Sequence, residues 1–161
     1  MTPVAPIGDE VVEVSQPAFR NERSIDIAAA PEAVWPWLAQ MGFGRAGWYS
    51  WDVLDNGRRP SARAILPELQ DLHVGDVVPA LPGATEAFIV EDVETSRHLV
   101  LGVPDGVTRR ATWAFVVEDD ETGGAGTAPG SRLLVRARLG RLVLAWPVLG
   151  QRTMPKRFVG G

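Results

Sequence analysis

The first clear pattern in the chain is an alternation from Ser24 to Ala28. Ile25 and Ile27 fall on one face and Ser24 and Asp26 on the other, as in a half-buried strand. The period then changes. Pro31 has its φ preset for a first helical turn, and it lacks only an N–H that such a turn leaves unpaired. Glu32 follows and places a carboxylate at the positive end of the helix dipole. Val34, Trp35, Leu38 and Met41 recur at helical spacing and make one apolar stripe. Pro36 deletes a hydrogen bond and presses on the carbonyl of Glu32, so the spacing predicts a short, kinked helix that stops at Gly42. A helix of that length is marginal in water. Burial of Trp35 and Leu38, worth about 2–3 kcal/mol each, must hold it in place.

Beyond this run the chain turns mostly to β. Glu10 to Val14 is a candidate short strand, and Asp55 to Ser61 (DNGRRPS) is a polar, turn-rich stretch. Ile65, Leu66, Leu69 and Leu72 have helical spacing broken by Pro67, which predicts a second short helical turn leading to Gly75-Asp76. Strands are then expected at Asp76 to Ala80, Ala87 to Val93, His98 to Val103 and Thr108 to Glu118. In the last, Trp113, Phe115 and Val117 face one way and Thr112, Ala114 and Val116 the other. Asp119 to Gly130 reads as a flexible connection. Ser131 to Leu139 returns as a strand, with Leu133, Val135, Ala137 and Leu139 inward and Arg132, Arg136 and Arg138 outward. Successive strands joined by turns imply an antiparallel meander, hence an α+β domain with a curved sheet. Residues 1–18 are expected to be a flexible N-terminal arm, and 19–161 a single domain.

Composition narrows the classes. A length of 161 residues fits one domain with a sizeable core. The formal charge of −4 argues against nucleic acid, which would call first for a basic face. Without cysteine there are neither disulfides nor thiolate metal sites. No apolar run reaches the length of a membrane span, and MTPVAPIGDE lacks the features of a secretory signal, so a cytoplasmic location is expected. Six tryptophans against one tyrosine is an unusual balance, and rings that large must mostly line a core or a pocket.

Candidate chemistry is sparse. Gly42-Phe43-Gly44-Arg45-Ala46-Gly47 matches GxGxxG, but it follows a helix and runs into Trp48-Tyr49-Ser50-Trp51 with no βαβ unit around it. It reads as a helix stop and a tight loop, and dinucleotide binding is rejected. Trp48, Tyr49, Trp51, Asp52 and Asp55 form the densest cluster of rings and carboxylates. They could wall a pocket, but core rings and a capped turn are the favoured account of Asp52 and Asp55, since nothing near them resembles a matched acid–base pair. Arg45 could hold an anionic group, although a surface or carboxylate-paired arginine accounts for it as well. His98 lies on the face of its strand opposite Leu99 and Leu101 and is expected toward solvent, and His73 precedes a turn. Two histidines without ligand spacing suggest no metal site, and no cofactor is expected. The serines lack a nucleophile-elbow context.

With these elements in place, the chain resembles the SRPBCC superfamily, the START-like and polyketide cyclase/dehydrase proteins of helix-grip fold. The resemblance is carried by Ser24-Ile25-Asp26-Ile27, Ala30-Pro31-Glu32-Ala33-Val34-Trp35, Val74-Gly75-Asp76 and Thr112-Trp113-Ala114-Phe115, and it covers roughly Arg20 to Leu139. It implies a curved antiparallel sheet with two short helices after the first strand and a C-terminal helix closing a hydrophobic cavity. Pro147 and Pro155 interrupt the stretch where that last helix would fall, so it is expected to be shortened or absent here. In such proteins the cavity commonly takes lipids, sterols, polyketides or aromatic compounds, and only some members are enzymes.

The resulting expectation is a binding domain for a small apolar or aromatic molecule. Trp35, Trp48, Tyr49, Trp51, Trp113, Phe115, Arg45 and Asp52 are its candidate ligand-binding residues. Two alternatives stand beside it. One is a cyclase/dehydratase-like enzyme in which Asp52, Tyr49 or Arg45 polarises the ligand. The other is an interaction domain, a homodimer included, that uses the Trp-rich surface.

Overall fold

The computed structural model describes residues 12–15, 17–49, 56–84, 86–120 and 129–140. Strand β1 (Pro17–Ile27) leads into helix α1 (Pro31–Ala39), and a 3-10 turn at Pro67–Leu69 precedes the remaining strands. These are β2 (Val77–Pro79), β3 (Ala87–Glu94), β4 (His98–Asp105), β5 (Thr108–Asp119) and β6 (Ser131–Gly140). All pair antiparallel in one sheet of order β1-β6-β5-β4-β3-β2. The sheet is a meander whose last strand folds back beside its first, giving the α+β, helix-grip architecture expected from the sequence.

The two faces of the sheet follow from the period of two. Val90, Leu99, Leu101, Phe115 and Val117 stand on one face and form the buried core with Val34, Trp35, Leu38 and Ala39 of α1. Pro31 opens the helix as anticipated, with no side-chain cap. The helix ends at Ala39, short of the expected stop. Gly42 instead forms a bridge with Gly47, each N–H bonding the other's carbonyl at 3.0–3.1 Å. Both glycines have positive φ (127° and 85°), and a Cβ on Gly42 would sit 2.6 Å from Val78 Cγ1. The GxGxxG spacing is thus a miniature hairpin packed against β2, and L-residues with side chains would not fit at its two ends.

On the opposite face, register pairs charges directly across the β1–β6 seam. Asp26 lies opposite Arg132 and Glu22 opposite Arg136, with Nε–H···O contacts of 2.9 and 2.7 Å. This explains why β1 begins seven residues before its apolar alternation does. The segment from Pro17 to Arg23 is an exposed edge held by its ladder and by ion pairs, not by burial.

The expected second helical turn is the 3-10 turn, and Gln40 binds the carbonyl of Ala64 and the N–H of Leu66 just ahead of it. Two expectations are corrected. His98 does lie opposite Leu99, but it is 8% exposed. β4 is an inner strand, and Asp92 on the neighbouring strand meets His98 Nε2 at 3.0 Å, laying the ring along the sheet. Arg136, expected outward, is likewise 8% exposed, drawn onto the sheet by its pairing with Glu22. Of the predicted strand at Glu10 to Val14, Val14 makes a parallel bridge to Arg109. The expected shortened C-terminal helix falls in 141–161, outside the described residues.

Candidate functional site

Helix α1 packs over β5, and an apolar cleft of about 370 Å3 opens between it and the β1–β6–β5 part of the sheet. Phe115 and Leu133 of the sheet form its floor. Ala33, Val34, Trp37 and Leu38 of α1 form one wall. Ile27 and Ala29, from the connection into the helix, and Met41 and Tyr49, from the segment leaving it, complete the lining. A volume of this size lies at the small end of the usual range for ligand sites.

Tyr49 carries the one hydroxyl among the described lining residues. Its backbone has φ 57°, a left-handed conformation unusual for a large side chain, and its N–H is taken by Ser61 Oγ at 3.1 Å. The ring stands edge-on to Trp37, with centroids 5.8 Å apart at 74°. Its hydroxyl meets Gln40 Nε2 at 2.7 Å. Burial pushes the phenol above its ordinary pKa, and the Gln40 bond opposes that shift only in part.

Gln40 is completely buried at the end of α1. Its Oε1 accepts from the N–H of Leu66 at 2.9 Å and from Gln70 Nε2 at 3.1 Å. A backbone N–H can only donate, so the amide orientation is fixed and Nε2 must face Ala64 O and the Tyr49 oxygen. Each of its two amide protons therefore has a partner.

The candidate residues from the sequence separate into groups. Tyr49 and Phe115 line the cleft. Trp35 belongs to the core beneath it and is 6% exposed. Trp48 and Trp113 stack at 5.6 Å and 29°, and Phe88 and Phe115 extend this into a continuous ring cluster. Trp48 Nε1 also donates to Ala80 O at 2.8 Å, tying the loop after α1 to the end of β2. Of this cluster Phe115 reaches the described cleft, whereas Trp48, Phe88 and Trp113 meet one another. Trp51 and Asp52 lie outside the described residues.

Arg45 is partly buried and spends its N–H groups on backbone carbonyls, with the Asp76 carboxylate acting on it through space. It donates to Met41 O (2.9 Å), Ala39 O (2.8 Å) and Leu69 O (3.1 Å). Two of these carbonyls are at or just beyond the helix terminus, where they have no partner within the helix. The guanidinium thus clamps the end of α1 to the segment at Leu69.

Sequence reasoning passed over Trp37, Ala33, Ile27 and Leu133 as site residues, and Gln40 altogether. Trp37 did leave a signal: it is a large ring off the stripe of Val34, Trp35 and Leu38, where a solid core has no use for it. Among the described residues no group of three or more His, Asp or Glu side chains could hold a metal ion. His98, with Asp92 at 3.0 Å and Glu94 at 3.9 Å, is on the other face of the sheet from the cleft. No helix of the described residues is long and apolar enough to cross a membrane.

The fold and cleft together define a curved sheet gripping a short helix over an apolar hollow. No protein-family model matches the chain, and neither does any curated protein. Among solved structures, it is similar to the NMR structure of the Polyketide_cyc-like protein Cgl2372 from Corynebacterium glutamicum, at 20% sequence identity and a TM-score of 0.46. The match covers 83% of this chain and 74% of that one.

Proposed function

We propose that the protein binds a small apolar or aromatic molecule in the cleft between α1 and the sheet. The observation that carries this reading is the lining itself. Aliphatic and aromatic side chains from three parts of the fold converge on one hollow, with a single hydroxyl among the described residues that line it. Apolar surface left open in this way favours a guest that removes it from water, at about 25 cal/mol per Å2 buried. Among the described lining residues only Tyr49 can ionise, and it is held toward its neutral form. That supports binding over acid–base catalysis, which needs a group poised near the working pH.

Titration with naphthalene-sized aromatics tests the proposal, followed by calorimetry and by tryptophan emission, to which Trp37 is the nearest reporter. Ala33 is exposed on α1 and lines the cleft, so Ala33→Phe should fill the space without disturbing the core. Saturable binding to the wild type, lost in Ala33→Phe at unchanged stability, is the expected result. Absence of binding across a broad panel, or equal binding to the filled variant, overturns the reading.

A further inference from the structure

The Tyr49 hydroxyl is polarised in one direction by its surroundings. A phenol has one proton to give and lone pairs to receive. Gln40 Nε2 occupies the receiving side, and the argument from Leu66 N–H forbids the amide from turning over to accept instead. The Tyr49 proton is therefore uncommitted, and no acceptor for it is present among the described residues. Tyr49 is 38% exposed, so without a ligand water can take this proton; partial burial raises the phenol above its ordinary pKa, and the proton stays on the oxygen at neutral pH.

We infer that the cleft selects a ligand bearing an acceptor-only oxygen, of the ketone or ester kind, which takes the Tyr49 proton, and that Gln40 positions the hydroxyl for this. The inference rests on the cleft being the binding site. A ligand alcohol fits less well, because among the described lining residues its own proton would find no side-chain oxygen besides that of Tyr49. A pure hydrocarbon leaves the Tyr49 proton unpaired once water is displaced. Tyr49 is thus a specificity-determining residue and Gln40 a positioning residue.

Three naphthalenes of similar shape test this: 2-acetylnaphthalene, 1-(2-naphthyl)ethanol and 2-isopropylnaphthalene, titrated into wild type and Tyr49→Phe. Loss of one net hydrogen bond should weaken ketone binding about three- to tenfold in Tyr49→Phe. Hydrocarbon binding should stay within about twofold, and the alcohol should fall between. The infrared carbonyl stretch of the bound ketone gives a readout that mere loss of packing would not move. It should lie at lower frequency in the wild type than in Tyr49→Phe or in cyclohexane. The cyclohexane comparison decides the matter even if the variant fails to fold. Equal weakening of ketone and hydrocarbon, or a bound carbonyl band at its cyclohexane position, overturns the inference and leaves the cleft reading intact. If no probe binds the wild type, the cleft reading fails and takes the inference with it.

Discussion

Replacing Gln40 tests both the stability of the site and the polarity assigned to it. Its side chain is fully buried and joins four partners: Leu66 N–H, Gln70 Nε2, Ala64 O and Tyr49 Oη. Gln70 has other acceptors at Pro36 O and Leu66 O and would survive the loss. Leu66 N–H would be left without its partner, at a cost of about 1–3 kcal/mol. Loss of the packed stem adds about 1–2 kcal/mol. Gln40→Ala should therefore cost about 2–5 kcal/mol, a large part of the ~5–15 kcal/mol a domain has in total. Gln40→Glu keeps the acceptor for Leu66 but puts a carboxyl oxygen against the carbonyl of Ala64. Protonated, that oxygen donates; ionised, it confronts a carbonyl out of water, so its pKa in the folded state rises above the ~4.3 of an unfolded glutamate. A raised folded-state pKa means the variant is most like wild type below that unfolded value. It then loses stability relative to wild type as pH rises, by up to about 1.4 kcal/mol per pH unit, until the folded-state pKa is passed. Urea denaturation followed by tryptophan emission, on both proteins at each pH, isolates the difference. A Gln40→Ala variant within about 0.5 kcal/mol of wild type, or a pH-independent gap for Gln40→Glu, would refute the reasoning.

Two further outcomes follow from the geometry. Arg45→Met should destabilise by about 2–4 kcal/mol, since it frees three carbonyls from a charged donor, and Arg45→Lys should recover little, because one ammonium cannot span carbonyls on two segments; denaturant midpoints measure both. Glu22 is held below the usual carboxylate range, first by its hydrogen bond to Arg136, so its contribution is complete above the ordinary carboxylate pKa and disappears as pH falls through the depressed value. Because the Glu22 side chain is 43% exposed, Glu22→Gln should cost no more than about 1 kcal/mol at neutral pH, less in high salt and nothing in acid, as thermal melts across pH would register.

The four strands from β3 to β6 were legible in the sequence to within two residues, because each lies between two others in the sheet and puts one face on the core. β1 was legible only from Ser24, where Ile25 and Ile27 alternate. Its first half, Pro17 to Arg23, carries exposed charges whose partners sit on β6, more than a hundred residues away in the case of Glu22 and Arg136. The stripe of α1 placed Trp35 and Leu38 in the core correctly. It said nothing of Trp37, which gains its place only when Tyr49 swings back over the helix.

The site is harder to read than the fold for a related reason. Tyr49 stands out in sequence as the one tyrosine, yet its chemistry is decided by Gln40, which looks like an ordinary polar residue closing a helix. What orients Gln40 is a backbone N–H 26 residues further on, and no periodicity reports that contact. The clue lies in context. Gln40 sits between Ala39 and Met41, both buried, so its amide could avoid water only by pairing every donor and acceptor it has. A buried amide with its oxygen spent on the backbone has only its N–H groups to offer a neighbouring hydroxyl. Once Tyr49 is that neighbour, its proton has nowhere to go but outward, and the apolar cleft acquires a polarity that none of its lining residues would reveal alone.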